Sequence, residues 1–308
     1  MGSGRWDSRE WAATRTLYTT AAKPTVDHIY TSRHLDATLD PRKITLRESR
    51  DSADNPDSTA LIVGLDVTGS MGRVLDAMAR TGLGTLVGSI YDRRPITDPH
   101  IAIMGIGDFE CDDAPLQVTQ FEAANQPLTT QMEKIWLEKG GGGNCHESYA
   151  AAWLFAATRT ATDCFEKRGK RGYLFTVGDE EPTPKLYGAQ LRQKMGTEDN
   201  GDLTGDHLLA MAQATYNVFH VIVEEGDYAY RRPDRTREAW AKTIGQNLIM
   251  LADHTKLAEV IVSAIQVAEG ADRDVVARSW GGDTAVVVAR GVQDIAVSNA
   301  TPGGMKLY

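Results

Sequence analysis

Residues 61–72 read LIVGLDVTGSMG, and this segment constrains the fold more than any other part of the chain. Its first five residues are apolar or glycine and lead to Asp66, which is the pattern of a strand buried on both faces. A short polar loop follows, and a helical pattern then runs from Arg73 to about Tyr91. The segment therefore predicts a central strand, a tight loop and a helix that covers the sheet.

Three oxygen-bearing side chains alternate through this segment, at Asp66, Thr68 and Ser70. Open α/β sheets bind ligands outside the carboxyl ends of their strands, and this loop would lie there. One carboxylate and two hydroxyl groups suit Mg²⁺, because this ion prefers hard oxygen ligands and keeps several waters. Mn²⁺ and Ca²⁺ remain open as alternatives. We therefore expect a divalent metal site at the end of the first strand.

Apolar segments and helical patterns alternate along the rest of the chain. The alternation predicts a doubly wound α/β fold with a mainly parallel sheet, helices on both faces and one antiparallel edge strand near residues 116–121. Acidic residues follow several predicted strands, namely Asp66, Asp108, Asp179 and Glu224. Carboxylates that converge on one sheet edge repel each other unless a cation or a basic partner neutralises them. This pattern independently favours a metal-binding edge.

The chain is predicted to consist of an α/β domain at residues 58–270 with an extension at each end. Residues 1–57 are polar and contain several prolines, which is typical of an extended arm lying on a domain, while residues 271–308 form the C-terminal extension. Short strands are predicted in the extensions at residues 28–30, 44–46 and 285–289. Within the domain, helices are predicted at residues 129–137, 144–166, 184–195, 204–215 and 257–268.

Composition excludes several classes of function. The 308-residue chain has a net charge of −9 and a pI near 5.3, which argues against a nucleic-acid partner. No run of about 18 apolar residues predicts a membrane span. The first residues lack the apolar core of a signal peptide, and three cysteines without CxxC spacing fit a reduced compartment. A cytoplasmic location is expected.

Four segments in a fixed order resemble the von Willebrand factor type A (vWA) domain with its metal-ion-dependent adhesion site (MIDAS), in its intracellular bacterial or phage type. The Asp-x-Thr-x-Ser spacing of Asp66, Thr68 and Ser70 resembles the first metal loop. Residues 140–144 (GGGGN) stand where the family carries its second loop, and residues 175–179 (FTVGD) resemble the third. An apolar strand at residues 218–223 comes next. The resemblance covers about residues 58–270.

The resemblance implies a metal site made of Asp66, Thr68 and Ser70 with Asp179 close by. The sequence departs from the family in its second loop, because no threonine stands between Gly140 and Ser148. Asn144 is the candidate for the missing contact, directly or through water. Asn144 is also a good helix N-cap, with Glu147 placed to complete a capping box, and the two roles are compatible.

The resemblance implies that the chain is a metal-dependent protein-binding module rather than an enzyme. In the family, a carboxylate of the partner commonly completes the coordination of the ion, and intracellular members often act as adaptors or co-chaperones of MoxR-type AAA+ ATPases. A structural subunit of a larger assembly is the alternative. A metal-dependent phosphohydrolase with Asp66 as nucleophile is disfavoured, because Thr68 stands where such sites place a second acid and no histidine is evidently placed as a base.

Overall fold

The computed structural model describes residues 4–20, 23–138, 147–198 and 201–297. Its strands form one large sheet and two short strand pairs. In chain order they are β1 (Arg47–Ser49), β2 (Thr59–Asp66), β3 (Pro99–Ile106), β4 (Leu116–Val118), β5 (Thr160–Thr162), β6 (Gly172–Gly178), β7 (Lys185–Leu186), β8 (Leu203–Thr204), β9 (Tyr216–Val223) and β10 (Leu248–Leu251).

The large sheet has six strands in the order β10-β9-β6-β2-β3-β4. Its strands pair in parallel except for the edge strand β4, which runs antiparallel to β3. The predicted central strand is β2, and the mainly parallel sheet and the antiparallel edge strand are likewise confirmed. Because β2 is central, Asp66 at its carboxyl end lies between the ends of β3 and β6.

Helices cover both faces of this sheet, as predicted. In chain order they are α1 (Ser8–Thr19), α2 (Gly72–Ala77), α3 (Leu83–Arg93), α4 (Asn125–Met132), α5 (Tyr149–Thr158), α6 (Asp163–Glu166), α7 (Gly188–Met195), α8 (Gly205–Gln213), α9 (Asp227–Arg231), α10 (Pro233–Ile244), α11 (Leu257–Ala268), α12 (Arg273–Arg278) and α13 (Gly282–Val292). In this part of the chain, no helix has the length and apolar character that a bilayer crossing requires.

Alternate residues of β2 enter two different cores, because successive side chains of a strand point to opposite faces. Leu61, Val63 and Leu65 pack with α2, α3 and α11 on one face. Ala60 and Ile62 pack on the other face with α5, α8 and α10. Every residue of β2 is buried, as its uninterrupted apolar run predicts.

The first extension is more structured than the predicted arm. Helix α1 packs on the domain, and its Trp11 ring reaches so close to Gly84 that a Cβ there would lie 1.8 Å from Nε1 of Trp11. The strands predicted at residues 28–30 and 44–46 are wrong. A 3-10 turn (Val26–His28) replaces the first, and its neighbours Ile29 and Tyr30 bury their side chains without a strand; β1 begins only at Arg47.

Other segments differ from prediction where tertiary packing overrides a local pattern. Residues 144–146 of the helix predicted at 144–166 lie outside the described residues. The rest divides into α5 and α6, because the β-branched residues of β5 between them pair with β1. The apolar residues 285–289 suggested a strand but lie in α13, whose Val288 and Val292 are buried in the same core as α11. The helix predicted at 129–137 is α4, which begins and ends earlier.

The helix bounds predicted at 184–195 and 204–215 also need correction. The first segment opens with the short strand β7, which pairs with β8, so α7 begins only at Gly188. The second, α8, ends at Gln213. The predicted closing helix at 257–268 is confirmed by α11.

Candidate metal centre

The predicted metal residues lie at the carboxyl ends of two adjacent parallel strands. Asp66 is the last residue of β2, and Thr68 and Ser70 follow in the loop before α2. Asp179 directly follows β6, which pairs with β2. The structure thus brings these four residues to one edge of the sheet. Asn144 and the glycine run at 140–143 lie outside the described residues.

Asp66 is fully buried, and each of its carboxylate oxygens accepts a hydrogen bond. Oδ1 accepts from the backbone N–H of Thr68 at 2.8 Å and from its hydroxyl at 2.6 Å. Oδ2 accepts from the hydroxyl of Tyr149 at 3.2 Å. The Asp66 carboxylate is therefore held in one orientation by the loop and by the first residue of α5.

Ser70 and Asp179 form the second pair of the site. The Ser70 hydroxyl donates to Oδ1 of Asp179 at 3.1 Å, and the backbone N–H of Tyr228 donates to Oδ2 at 2.9 Å. Gly226 permits this arrangement, because a Cβ there would lie 2.3 Å from Cβ of Asp179. The contact links the loop after β2 to the loop after β6.

Tyr149 is a site residue that the sequence reasoning missed. Its ring is fully buried against His220 and Trp240, and its hydroxyl also accepts from the backbone N–H of Glu180 at 3.4 Å. Gly178 makes room for it, since a Cβ there would lie 1.9 Å from the tyrosine oxygen. The one available signal was its place at the start of a helix after a glycine-rich loop.

Glu147 does not lie in the first turn of a helix, as the predicted capping box with Asn144 requires, and Asn144 itself lies outside the described residues. Helix α5 begins at Tyr149, so Glu147 precedes the helix instead of occupying its first turn. Its side chain is buried, with 2% of the residue exposed, and its Oε2 has no hydrogen-bond partner among the described residues. Its carbonyl oxygen accepts from the Thr183 hydroxyl at 2.6 Å. A buried, unpartnered carboxylate oxygen beside the predicted site is a candidate ligand atom.

The carboxyl groups of this edge raise one another's pKa. Burial is the largest cause at both Asp66 and Glu147. The charge of Asp179 adds to it at Asp66, and the charge of Asp66 adds to it at Glu147, so both pKa values lie above their usual range. Burial and the charges of Asp66 and Asp179 raise the pKa of Glu180 to about 8. Burial also raises the pKa of Asp179. Such a group of carboxylates is stabilised as anions when a cation binds among them.

The oxygen atoms of this site suit a small divalent ion. Thr68 and Ser70 provide hydroxyl oxygens, and Asp66, Asp179 and Glu147 provide carboxylate oxygens, which are the ligands that Mg²⁺ and Ca²⁺ prefer. Among the described residues, no lysine or arginine forms an ion pair with these three acids. Charge balance at this edge is therefore left to a bound cation or to protons.

Of the remaining predicted acids, one faces the site and the other pairs with a basic residue. Asp108 follows β3, is buried, and accepts from the backbone N–H of Glu110 at 2.9 Å. Its charge contributes to the raised pKa of Glu147, so it faces the same group. Glu224 instead forms an ion pair with Arg290 of α13 at 2.5 Å.

A second acidic group contains Glu225, Asp253 and His254. Across the four described ranges, it is the one set of three histidine, cysteine or acidic residues whose ligand atoms all lie within 4.8 Å of one another. Two of its members already form hydrogen bonds with each other, since Oε2 of Glu225 lies 2.7 Å from both the backbone N and Nδ1 of His254. We assign it no ion.

Comparisons with known proteins add little to this description. No family model matches the chain, and no curated protein matches it. Among solved structures, the pilus adhesin SpaC from Lactobacillus rhamnosus GG in its open conformation is similar with a TM-score of 0.46 and 10% identity, over 71% of this chain and 31% of the adhesin. A second structure of SpaC gives 0.44 and 12%, over 71% and 32%.

The chain thus spans about a third of the length of these adhesin structures. At these TM-scores the similarity supports no conclusion about function. The class that this fold and site define is a doubly wound α/β domain with a group of acidic and hydroxyl side chains at the carboxyl edge of its sheet.

Proposed function

We propose that this protein is a metal-dependent protein-binding module of the vWA type. In this proposal Asp66, Thr68 and Ser70 hold Mg²⁺, Mn²⁺ or Ca²⁺ together with Asp179. The observation that supports it most is the pair of contacts from Thr68 to Asp66 and from Ser70 to Asp179 at adjacent strand ends. These contacts bring carboxylate and hydroxyl oxygens, which suit such ions, to one region of a parallel sheet where open α/β folds bind ligands.

The bound ion would supply positive charge to an edge that otherwise carries buried acids. A carboxylate of a partner protein could then bind at this edge without an uncompensated burial of charge. The vWA resemblance favours a MoxR-type AAA+ ATPase as the partner, with this chain as its adaptor or co-chaperone. A structural role in a larger assembly is the alternative, and it would use the same surface.

A hydrolase that uses Asp66 as nucleophile is disfavoured by the site's geometry. Both oxygens of Asp66 accept hydrogen bonds, and the residue has no exposed surface from which to attack a substrate. We expect the purified chain to show no turnover of ATP or phosphate esters with Mg²⁺. Turnover that disappears in Asp66→Asn would contradict this expectation.

The partner proposal is tested by affinity capture from the native host in Mg²⁺ and in EDTA. The bait is the full chain, compared with Ser70→Ala and with Ser89→Ala. Ser89 lies on α3, which leads from the carboxyl edge of the sheet to its opposite edge, so it serves as a matched control. An AAA+ ATPase captured by the parent and by Ser89→Ala only in Mg²⁺ is the expected result. Equal capture by all baits in both buffers would exclude the metal edge as the interface.

A further inference from the structure

A pocket of about 230 Å³ lies between the loop after β3, the start of α5 and the segment that leads from β6 to α7. Pockets for drug-sized ligands are larger, at roughly 300–1,000 Å³, so this one has room for a single long side chain. Its lining includes two acids, an aromatic ring and two aliphatic hydroxyl groups, supplied by Asp108, Glu110, Tyr187, Ser148 and Thr183. The proposed metal ligands are not among them.

Hydrogen bonds between the three walls hold the pocket together. The Ser148 hydroxyl accepts from the backbone N–H of Phe109 at 2.9 Å, which joins the start of α5 to the loop after β3. The Thr183 hydroxyl donates to the carbonyl of Glu147 at 2.6 Å and accepts from the N–H of Ala150 at 3.3 Å, which joins the third wall. These bonds fix the pocket without any contribution from a bound ion.

The pocket lies in an acidic part of the surface. Asp108 and Glu110 line it, and Oδ2 of Asp112 accepts from the backbone N–H of Asp108 at 2.8 Å. A hydrogen bond to Asp108 raises the pKa of the Cys111 thiol to about 11, and the surrounding acidic charges add to this shift. Among the described lining residues, Lys185 is the one basic side chain. A cleft with this charge attracts cations and repels anions.

The chain itself shows how this surface holds a cation. Nζ of Lys185 lies 4.1 Å from the centroid of the Tyr187 ring and 3.0 Å from Oδ2 of Asp202. An ammonium group is thus bound by an aromatic ring and a carboxylate, which are the kinds of group that the pocket also offers. Tyr187 is 44% exposed, so its ring remains accessible from solvent.

We propose that this pocket binds a basic side chain of a protein partner, arginine in particular. The planar guanidinium group stacks on aromatic rings and donates two parallel hydrogen bonds to a carboxylate, and an ammonium group lacks this geometry. Arginine is also enriched where proteins bind each other. The inference goes beyond the proposed function, because the pocket needs no ion.

The test is an NMR titration of the full chain in Mg²⁺ with N-acetylarginine amide, which represents an arginine residue. N-acetylcitrulline amide is the matched probe, because it has nearly the same shape and no charge. We expect the parent to bind the arginine probe at least about fivefold more tightly than the citrulline probe. The amide signals that shift should be those of the pocket, including Glu110 and Tyr187.

The variant is Glu110→Gln/Tyr187→Leu, which removes one charge and one ring from the lining. It should bind the arginine probe at least about fivefold more weakly than the parent. Glu10→Gln/Tyr230→Leu is the matched control, because it makes the same changes at exposed residues outside the pocket and should bind like the parent. Both variants should unfold at the parent's temperature, since all four side chains are exposed.

Ser70→Ala separates this inference from the proposed function. It should bind the arginine probe like the parent, so a failure of the metal proposal would leave the pocket unaffected. Equal affinity of the parent for both probes, or parent-like affinity in Glu110→Gln/Tyr187→Leu, would overturn the inference. Tighter binding of the free diamine putrescine than of the arginine probe would also overturn it, because the ligand would then be a small polyamine.

Discussion

Ser70 Oγ donates a hydrogen bond to Asp179 Oδ1 at 3.1 Å, although the two residues are 109 positions apart in the chain. The contact depends on the parallel pairing of β2 with β6, which brings the ends of both strands to one edge. Asp66, the last residue of β2, and Thr68, in the same loop as Ser70, form the neighbouring pair. The ends of these two strands therefore bring together the oxygen groups that would bind the proposed ion.

Tyr149→Phe should weaken both the fold and the site. The change removes the donor to Oδ2 of Asp66 and leaves that buried oxygen without this partner, which costs about 1 to 3 kcal/mol of unfolding free energy. Loss of a group that orients a ligand should also lower metal affinity by about tenfold. Urea unfolding in EDTA measures the first effect, and Mn²⁺ titration measures the second.

The control for this change is Tyr216→Phe. Tyr216 is also fully buried, and its hydroxyl pairs with Thr160 at 2.7 Å, at the amino end of β9. It should lose comparable stability and keep the parent's metal affinity. If Tyr216→Phe lowered metal affinity as much as Tyr149→Phe, the effect would be one of general stability and not of the site.

Gly226→Ala should disrupt the site through its backbone. The new Cβ would overlap the side chain of Asp179, with 2.3 Å between the two Cβ atoms, so one of them has to move. Overpacking of this kind costs about 1 to 3 kcal/mol, and metal binding should be lost with the position of Asp179. In Gly88→Ala, a Cβ meets no atom within 4 Å on α3, so stability should rise slightly while metal binding is unchanged. Chemical unfolding and Mn²⁺ titration of both variants check this.

How far the site can be predicted from sequence is shown by Asp66 and Glu147. Asp66 follows an apolar run, and that local pattern is sufficient to place it at a strand end. Glu147 and Tyr149 owe their positions to distant residues, Thr183 and Gly178, and no local pattern contains that information. Their roles therefore became visible only in the folded chain.

The same distinction, between a local pattern and contacts with distant residues, explains the errors in the predicted secondary structure. Residues 285–289 form an apolar run that fits a strand, yet they lie in a helix because Val288 and Val292 are buried against neighbouring elements. By contrast, the long amphipathic pattern of α11 determines its bounds by itself. Short apolar runs carry too few residues to distinguish the two structures.

His100 should make stability pH-dependent at a position far from the metal edge. Burial lowers the pKa of His100 from its ordinary value of 6.5 to about 4, and its Nδ1 lies 3.1 Å from the Ser49 hydroxyl. Between these values the unfolded chain binds a proton that the folded chain does not. Its contribution to stability is therefore complete above pH 6.5 and is lost as the pH falls towards 4.

The measurement is urea unfolding in EDTA at pH 7 and pH 4.5 for the parent and His100→Gln. The parent should lose about 2 to 3 kcal/mol more than the variant over this interval. His207→Gln, at an exposed histidine of α8, is the control and should follow the parent. Equal losses in all three proteins would show that His100 is not buried in its neutral form.

The central claim is that the loop after β2 holds a divalent ion, and calorimetric titration with Mn²⁺ tests it most directly. The parent is compared with Ser70→Ala, which removes a hydroxyl next to Asp179, and with the control Ser89→Ala on α3. We predict one binding event in the parent and in the control, and an affinity at least about tenfold lower in Ser70→Ala. Equal affinity in all three proteins, or no binding by the parent, would contradict the account.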